Sequence, residues 1–391
     1  MKLDSKLPDV GTTIFTVMSQ LATEHKSVNL GQGFPDFNPD DRLVELTFNA
    51  MKAGHNQYPP MSGVDMLRTN VAKKIATLYG HTYNPNTEIT ITSGATEALM
   101  VTIQALIRAG DEAIVIEPMY DLYVPAIELA GGKAVSVSMK VPTSPKETYS
   151  IDWNDVESAI TSKTRLLILN TPHNPTGMTF SEADLDALEV LLKKYPFFVI
   201  SDEVYEHIVF DDKSHVSLSS RQGIAERTVV ISSFGKTYHV TGWKIGYCVA
   251  PDYVMTEIRK VHQFTVFTVN TPMQIALAQF MSDPSTYTGL AKFYEQKRNY
   301  LINGLAHTRL QAWRADSTFF LLANYKALAD VDENTFVRWL TIEKGVTAIP
   351  MAAFYREPMA KASNNHMIRL CFAKHEHTLD AALERLTTLG M

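Results

Sequence analysis

Cysteine is nearly absent: 391 residues hold two, Cys248 and Cys371. Each is flanked by apolar residues, which argues against a disulfide framework or a cysteine-based zinc site and leaves buried free thiols in a reducing compartment as the expectation. Positive charge is not in excess either. Lys and Arg number 36 against 42 Asp and Glu, a formal net charge of −6, so neither nucleic acid nor an anionic membrane would draw the chain electrostatically. No stretch approaches about 18 uninterrupted apolar residues, and Met1-Lys-Leu-Asp-Ser-Lys-Leu-Pro has no apolar core of signal-peptide length. A cytoplasmic location is expected. Repeats, low-complexity tracts and long charge runs are lacking. His173, His375 and His377 make no metal-ligand set, and His239 has no defined role, so no metal is expected. The composition that remains, 45% hydrophobic and 20% charged, is that of a globular protein whose partners are small metabolites.

Short apolar runs alternate with segments of helical character, the pattern of an α/β fold with a mostly parallel central sheet. Glu88-Ile-Thr-Ile-Thr-Ser runs into Gly94-Ala-Thr-Glu and a helical stretch. Ala113-Ile-Val-Ile ends on Glu117-Pro-Met-Tyr-Asp-Leu-Tyr, and Arg165-Leu-Leu-Ile-Leu on Asn170-Thr-Pro-His-Asn-Pro-Thr-Gly. Phe197-Phe-Val-Ile ends on Ser201-Asp-Glu-Val-Tyr, and Thr228-Val-Val-Ile on Ser232-Ser-Phe-Gly-Lys. Ligands of open α/β sheets bind beyond the carboxyl ends of the strands, so these polar clusters are expected to meet in one cleft. Gly246-Tyr-Cys-Val-Ala-Pro reads as a further strand of undetermined direction. Beyond about residue 280 a charged helical pattern, Thr288 to Leu305, leads to short strands near Ser317–Ala323 and His366–Phe372. The expected division is a large α/β domain over 45–280 and a smaller α+β domain built from 1–44, including an N-terminal arm, and 281–391.

Lys236 follows a β-branched apolar run, at the carboxyl end of a strand buried on both faces. A lysine there can condense with an aldehyde if its surroundings favour the neutral amine. Ser233 and Lys244 offer a hydroxyl and a fixed charge to a phosphate. The backbone N–H groups of Ala95 and Thr96, where a helix begins after Gly94, offer an anion site. Asp202 ends an apolar run where an unpaired carboxylate is costly; it either faces the ring nitrogen of a pyridine cofactor or caps a following helix. Tyr205 and Asn174 stand within reach of the same cleft, and Tyr120 is suited to stacking on a flat ring. Arg369 lies inside Met367-Ile-Arg-Leu-Cys-Phe and must find an anion, either a substrate carboxylate or an internal salt bridge. Gly31-Gln-Gly-Phe-Pro-Asp-Phe is a glycine-punctuated loop able to approach a ligand.

Ser233-Phe-Gly-Lys236 with Gly242-Trp-Lys-Ile-Gly246, Asn170 to Gly177, and Ser201-Asp-Glu-Val-Tyr205 together resemble the motifs of the class I, fold-type I pyridoxal phosphate-dependent aminotransferases. The resemblance runs from Asn29 to Arg369. Asn29-Leu-Gly-Gln-Gly-Phe-Pro-Asp and Glu117-Pro-Met-Tyr-Asp-Leu-Tyr look like the methionine and kynurenine (glutamine-type) members. The resemblance implies a ping-pong transfer of an amino group from an amino acid to a 2-oxo acid on pyridoxal 5′-phosphate. Lys236 would carry the cofactor and shuttle the proton. Asp202 would pair with the ring nitrogen, Tyr205 and Asn174 with the ring oxygen, and Tyr120 would stack. Gly94, Ala95, Thr96, Ser233 and Lys244 would hold the phosphate, and Gly33, Asn174 and Arg369 the substrate carboxylate. Members are homodimers, so Tyr58 would reach the neighbouring chain's phosphate. Phe15 and Tyr58, with Phe267 entering from the partner, would make an apolar pocket. No arginine near Phe15 offers to bind a second carboxylate, so methionine, phenylalanine, tyrosine or kynurenine is the expected donor. A β-lyase acting on cysteine S-conjugates and a cofactor-binding regulator are the alternatives. The second is disfavoured, because no basic helix-turn-helix segment precedes residue 30.

Overall fold

The protein is described by a computed structural model in which residues 4–356 and 365–389 are described. Seven strands form one sheet in the order 89–92, 246–249, 228–233, 198–202, 164–170, 112–117, 133–138. The apolar runs fix most of it: Leu166 to Asn170 and Val199 to Asp202 are buried at every position, as strands covered on both faces must be. All neighbours run parallel except Gly246–Val249, which is antiparallel to both strands that flank it. Its register places Gly246 opposite Thr92 on one side and Ser233 on the other. The beginning of this reversed strand therefore lies at the same edge as the ends of its neighbours. The edge strand Lys133–Ser138 is absent from the sequence reading because only Ala134 and Val137 are buried in it.

Helices cover both faces. Gly94–Leu106, Tyr123–Leu129 and Asp252–Thr265 pack on one side, where Leu99, Ile103, Ile127 and Ile258 meet the sheet residues Val115, Ile168 and Ile231. Asp65–Tyr79 and Thr271–Met281 cover the strands 89–92 and 246–249. On the remaining face Glu182–Lys194 and an antiparallel sheet share one core. That four-stranded sheet has the order 349–350, 367–371, 320–324, 311–312. Val28–Asn29 pairs in parallel with Val346–Thr347, tying the N-terminal segment to this part of the chain. The helical pattern read over 288–305 is a helix only from Leu290 to Leu305, separated by Gly289 from the short turn Ser285–Thr288. Both cysteines are buried and free. Among the described residues no helix is long and apolar enough to cross a membrane.

Candidate active site

The polar strand ends open into one cavity of about 400 Å³, which also touches the segment 13–34 and the strand Met367–Cys371. Lys236 stands in the one-turn helix Phe234–Thr237 that follows the strand Thr228–Ser233. Its Nζ donates to the Gly33 carbonyl at 3.1 Å and lies 5.7 Å from the centre of the Tyr205 ring and 5.3 Å from that of Phe319. Burial pulls its pKa down to about 8, with Arg369 and Lys244 acting in the same direction. A lysine so placed has an appreciable neutral, nucleophilic fraction near neutrality.

Asp202 closes the neighbouring strand Phe198–Asp202 and faces the same cavity. A turn, not a helix, follows it, so the helix-cap alternative is not realised. Its Oδ2 accepts from the Tyr123 hydroxyl at 2.8 Å and its Oδ1 from the Val204 N–H at 3.4 Å. Burial raises its pKa to about 6, with the Tyr123 bond opposing the rise. Asn170 braces this corner: its Nδ2 donates to the Asp202 carbonyl at 2.7 Å, and its Oδ1 accepts from the Asn174 N–H at 2.8 Å. Tyr205 is buried, with its ring edge-on to Phe319 at 5.1 Å, and burial raises its pKa.

An anion cup lies where three chain segments meet. Gly94, at φ +69°, opens the helix Gly94–Leu106, whose first N–H groups lack helical partners. Lys244 holds a left-handed backbone, φ +52°, a conformation costing a non-glycine residue roughly 1 kcal/mol. This places its Nζ 3.0 Å from Thr96 Oγ1. A Cβ on Gly246 would lie 2.7 Å from the Ser232 carbonyl and 2.8 Å from the Ala95 nitrogen, so only glycine allows this approach. Ser233 lines the cavity beside them.

Arg369 is 2% exposed. It donates from Nη1 to Asn174 Oδ1 at 2.8 Å and from Nη2 to the Gly31 carbonyl at 3.0 Å, while its buried Nε has no partner. Its guanidinium stacks 3.8 Å from the centre of the Phe320 ring. Burial pulls its pKa down to about 10. Among the described residues no carboxylate pairs with it, so the internal salt bridge is not realised. A buried guanidinium with an unused donor and no counter-ion is a site for an incoming carboxylate. Because Asn174 turns its carbonyl oxygen to Arg369, its Nδ2 remains to donate to a ligand. Gly33 is packed so that a Cβ would meet Phe320 Cζ at 2.8 Å.

Lys236, Asp202, Tyr205, Gly94, Ala95, Thr96, Tyr120, Asn174, Ser233, Lys244, Phe15, Gly33 and Arg369 thus share one cavity. Tyr58 does not: it is 82% exposed, outside its own chain's cavity, with its ring 5.4 Å from Phe267. His173 is buried, with Nδ1 2.7 Å from Thr176 Oγ1, and serves packing. His239 is packed edge-on to Phe37 at 4.8 Å. Among the described residues no group of His, Cys, Asp and Glu is arranged to hold a metal. The sequence reading missed Tyr123, Asn170, Asp121 and Phe320. Tyr123, Asn170 and Asp121 sit inside motifs that drew attention for other residues. The residues present fit a phosphate-bearing pyridine aldehyde: a cup for the phosphate, a carboxylate for the ring nitrogen and an amine for the aldehyde.

Residues 25–386 match the family described as aminotransferase class I and II. The chain is 48% identical to the methionine aminotransferase of Escherichia coli (strain K12) over 386 residues, 98% of each chain. It is 35% identical to human kynurenine–oxoglutarate transaminase 1 over 394 residues, 94% of this chain and 93% of that protein. Among solved structures, an Escherichia coli protein whose crystal structure and reactivity identified a methionine aminotransferase function superposes with a TM-score of 0.95 at 47% identity, covering 100% of both chains. The Mycobacterium tuberculosis N-succinyldiaminopimelate aminotransferase superposes with a TM-score of 0.94 at 36% identity, also over 100% of both chains.

Proposed function

This chain belongs to the class I and II aminotransferases, and from that premise we propose that it moves the amino group of an apolar or aromatic L-amino acid, methionine foremost, to a 2-oxo acid in ping-pong order. Pyridoxal 5′-phosphate is its cofactor in this reading. The observation that carries it is the convergence of Lys236, Asp202 and an uncompensated Arg369 on one cavity. The methionine preference is supported by the 48% identical relative and by the uncharged side chains of Thr13, Phe15, Gln32 and Phe34 in the wall.

When bound, pyridoxal phosphate supplies an aldehyde that accepts the amino group and a ring that spreads the electrons released when the substrate's Cα loses its proton. The chain does the rest. Arg369, braced by Asn174 and the Gly31 carbonyl, grips the substrate α-carboxylate with Nε and its remaining Nη protons. That grip fixes Cα within reach of Lys236 Nζ, which takes the Cα proton as a general base with its pKa lowered toward neutrality. Asp202, oriented by Tyr123, would pair with the ring nitrogen and favour its protonated form. Tyr205 and Asn174 Nδ2 would donate to the ring oxygen, and Tyr120 would pack against the ring. The N–H groups of Ala95 and Thr96, with Ser233 and Lys244, would hold the phosphate.

In this reading the enzyme works as a cytoplasmic homodimer in which the exposed Tyr58 completes the partner's phosphate cup, with domains divided as 45–280 against 1–44 plus 281–391. The test is a half-reaction screen. The cofactor-loaded protein is mixed with single amino acids, without an acceptor, and loss of its visible absorption is followed. Stoichiometric conversion by methionine or aromatic amino acids but not by aspartate is the expected result. An absorption band that no amino acid bleaches would defeat the transfer reading, and conversion by aspartate alone would defeat the substrate assignment.

A further inference from the structure

One buried pair of titratable side chains stands behind the cavity and has no part in the chemistry above. His262, in the helix Asp252–Thr265, sets Nδ1 2.8 Å from Glu97 Oε1 and Nε2 3.0 Å from the Met61 carbonyl, and both side chains are buried. A carbonyl only accepts, so Nε2 carries a proton. A second proton must lie between Nδ1 and Oε1, because two bare lone pairs at that distance repel. The other Glu97 oxygen accepts from the Ser93 N–H at 2.9 Å, where the helix Gly94–Leu106 begins and a negative carboxylate is favoured. The geometry is that of an imidazolium held between a carboxylate and a carbonyl. Burying such a charged pair is costly, and a carboxylate that only caps a helix needs no buried histidine.

The pair joins two places that the sequence keeps apart. On one side stand Ser93 and Gly94, at the mouth of the anion cup. On the other runs the segment 57–63, which carries Tyr58. His262 grips that segment through Nε2 at Met61, and its own carbonyl accepts from the Phe267 N–H at 3.1 Å, holding the residue whose ring lies 5.4 Å from that of Tyr58. The adjoining Ser62 carbonyl accepts from the Ile91 N–H at 3.0 Å, in the strand Ile89–Thr92 that leads into the cup. We infer that His262 is a positioning residue for phosphate binding: with Glu97 it fastens the segment bearing Tyr58 to the cup of its own chain, so that the helix start forming one phosphate site and the tyrosine completing the partner's are held as one unit. The inference rests on the homodimer reading, in which Tyr58 serves the partner's phosphate.

The test titrates cofactor-free protein with pyridoxal 5′-phosphate and with pyridoxal, which lacks the phosphate, and reads the preference for the first by absorption and calorimetry. H262Q and Y58F should each lower that preference by about tenfold or more, the loss expected of one hydrogen bond to a charged group. The double variant should lose no more than the weaker single one, since His262 acts through Tyr58. E97A should behave as H262Q does. E97Q should keep the wild-type preference, because its amide can donate to Nδ1 of a neutral ring while its oxygen still accepts from Ser93. Losses that multiply in the double variant overturn the inference, as does an unchanged preference in H262Q, an E97Q as impaired as E97A, or an equal loss for both ligands. A Y58F protein with unaltered preference defeats the shared phosphate site and this inference with it, and wild type that binds neither ligand defeats the cofactor reading itself.

Discussion

Replacing Arg369 by methionine should separate the fold's interest from the enzyme's. Burial has pulled the guanidinium from 12.5 to about 10, so holding it charged at neutral pH costs about 3 kcal/mol at roughly 1.4 kcal/mol per pKa step. The folded pKa lies below the unfolded one. The penalty is therefore complete below about 10 and disappears only as the pH rises from there toward the unfolded value. Methionine removes that penalty and forfeits the bonds to Asn174 and the Gly31 carbonyl, worth about 1 kcal/mol each. The cofactor-free variant should be as stable as wild type or about 1 kcal/mol more stable. Substrate binding should move the other way, because losing the cation opposite a buried carboxylate costs about 2–5 kcal/mol. That is about 30-fold to several-thousand-fold in the methionine concentration needed for half-maximal conversion. Urea denaturation at pH 7.5 and half-reaction titrations read the two effects. A variant destabilised by more than about 2 kcal/mol, with an unchanged methionine dependence, would refute the view that this charge is kept for a ligand.

Three further outcomes follow from the same geometry. Lys236→Ala should abolish turnover, and in wild type the saturated methionine half-reaction should quicken as the pH rises through about 8, where the buried amine loses its proton; a rate that falls over that interval contradicts a base at this position. Asp202→Asn should alter the pH dependence of the cofactor-free fold. With its folded pKa near 6, above the unfolded value, the aspartate's contribution is fully present below about 4 and is lost as the pH rises through about 6, a change of about 3 kcal/mol relative to the asparagine variant; parallel stability curves for the two proteins would remove this account. Gly246→Ala should weaken cofactor retention and lower the unfolding temperature, since the added carbon meets backbone at 2.7 and 2.8 Å, an overpacking cost of about 1–3 kcal/mol; equilibrium dialysis and calorimetry with no change in either quantity would show that the cup tolerates it.

Much of the site is legible in the chain because buried parallel strands are written as uninterrupted β-branched runs, and each run stops where polar residues begin. Asp202, Lys236 and Asn174 are found that way. Arg369 is found by the opposite signal, a charge inside an apolar strand. What stays hidden depends on tertiary approach. Tyr123 reads as one aromatic among several until it is seen donating to Asp202. Asp121 reads as a polar residue in a turn until the cavity wall is drawn. The direction of Gly246–Val249 is hidden because burial imposes the same composition on a strand running either way, and Lys133–Ser138 is hidden because only Ala134 and Val137 of this edge strand are buried.

The reversed strand ties cofactor retention to the dynamics of the sheet. Gly246 registers against Thr92 on one side and Ser233 on the other, so the anion cup spans two inter-strand gaps, about 9–10 Å. Its width is set by main-chain hydrogen bonds and not by side-chain rotamers. A dianion seated there bridges two strand ends and one strand beginning, and the three must open together to release it. Amide hydrogen exchange along Gly246–Val249, the strand that lies in both gaps, should therefore slow in concert when the phosphate is held, making these amides a reporter of occupancy.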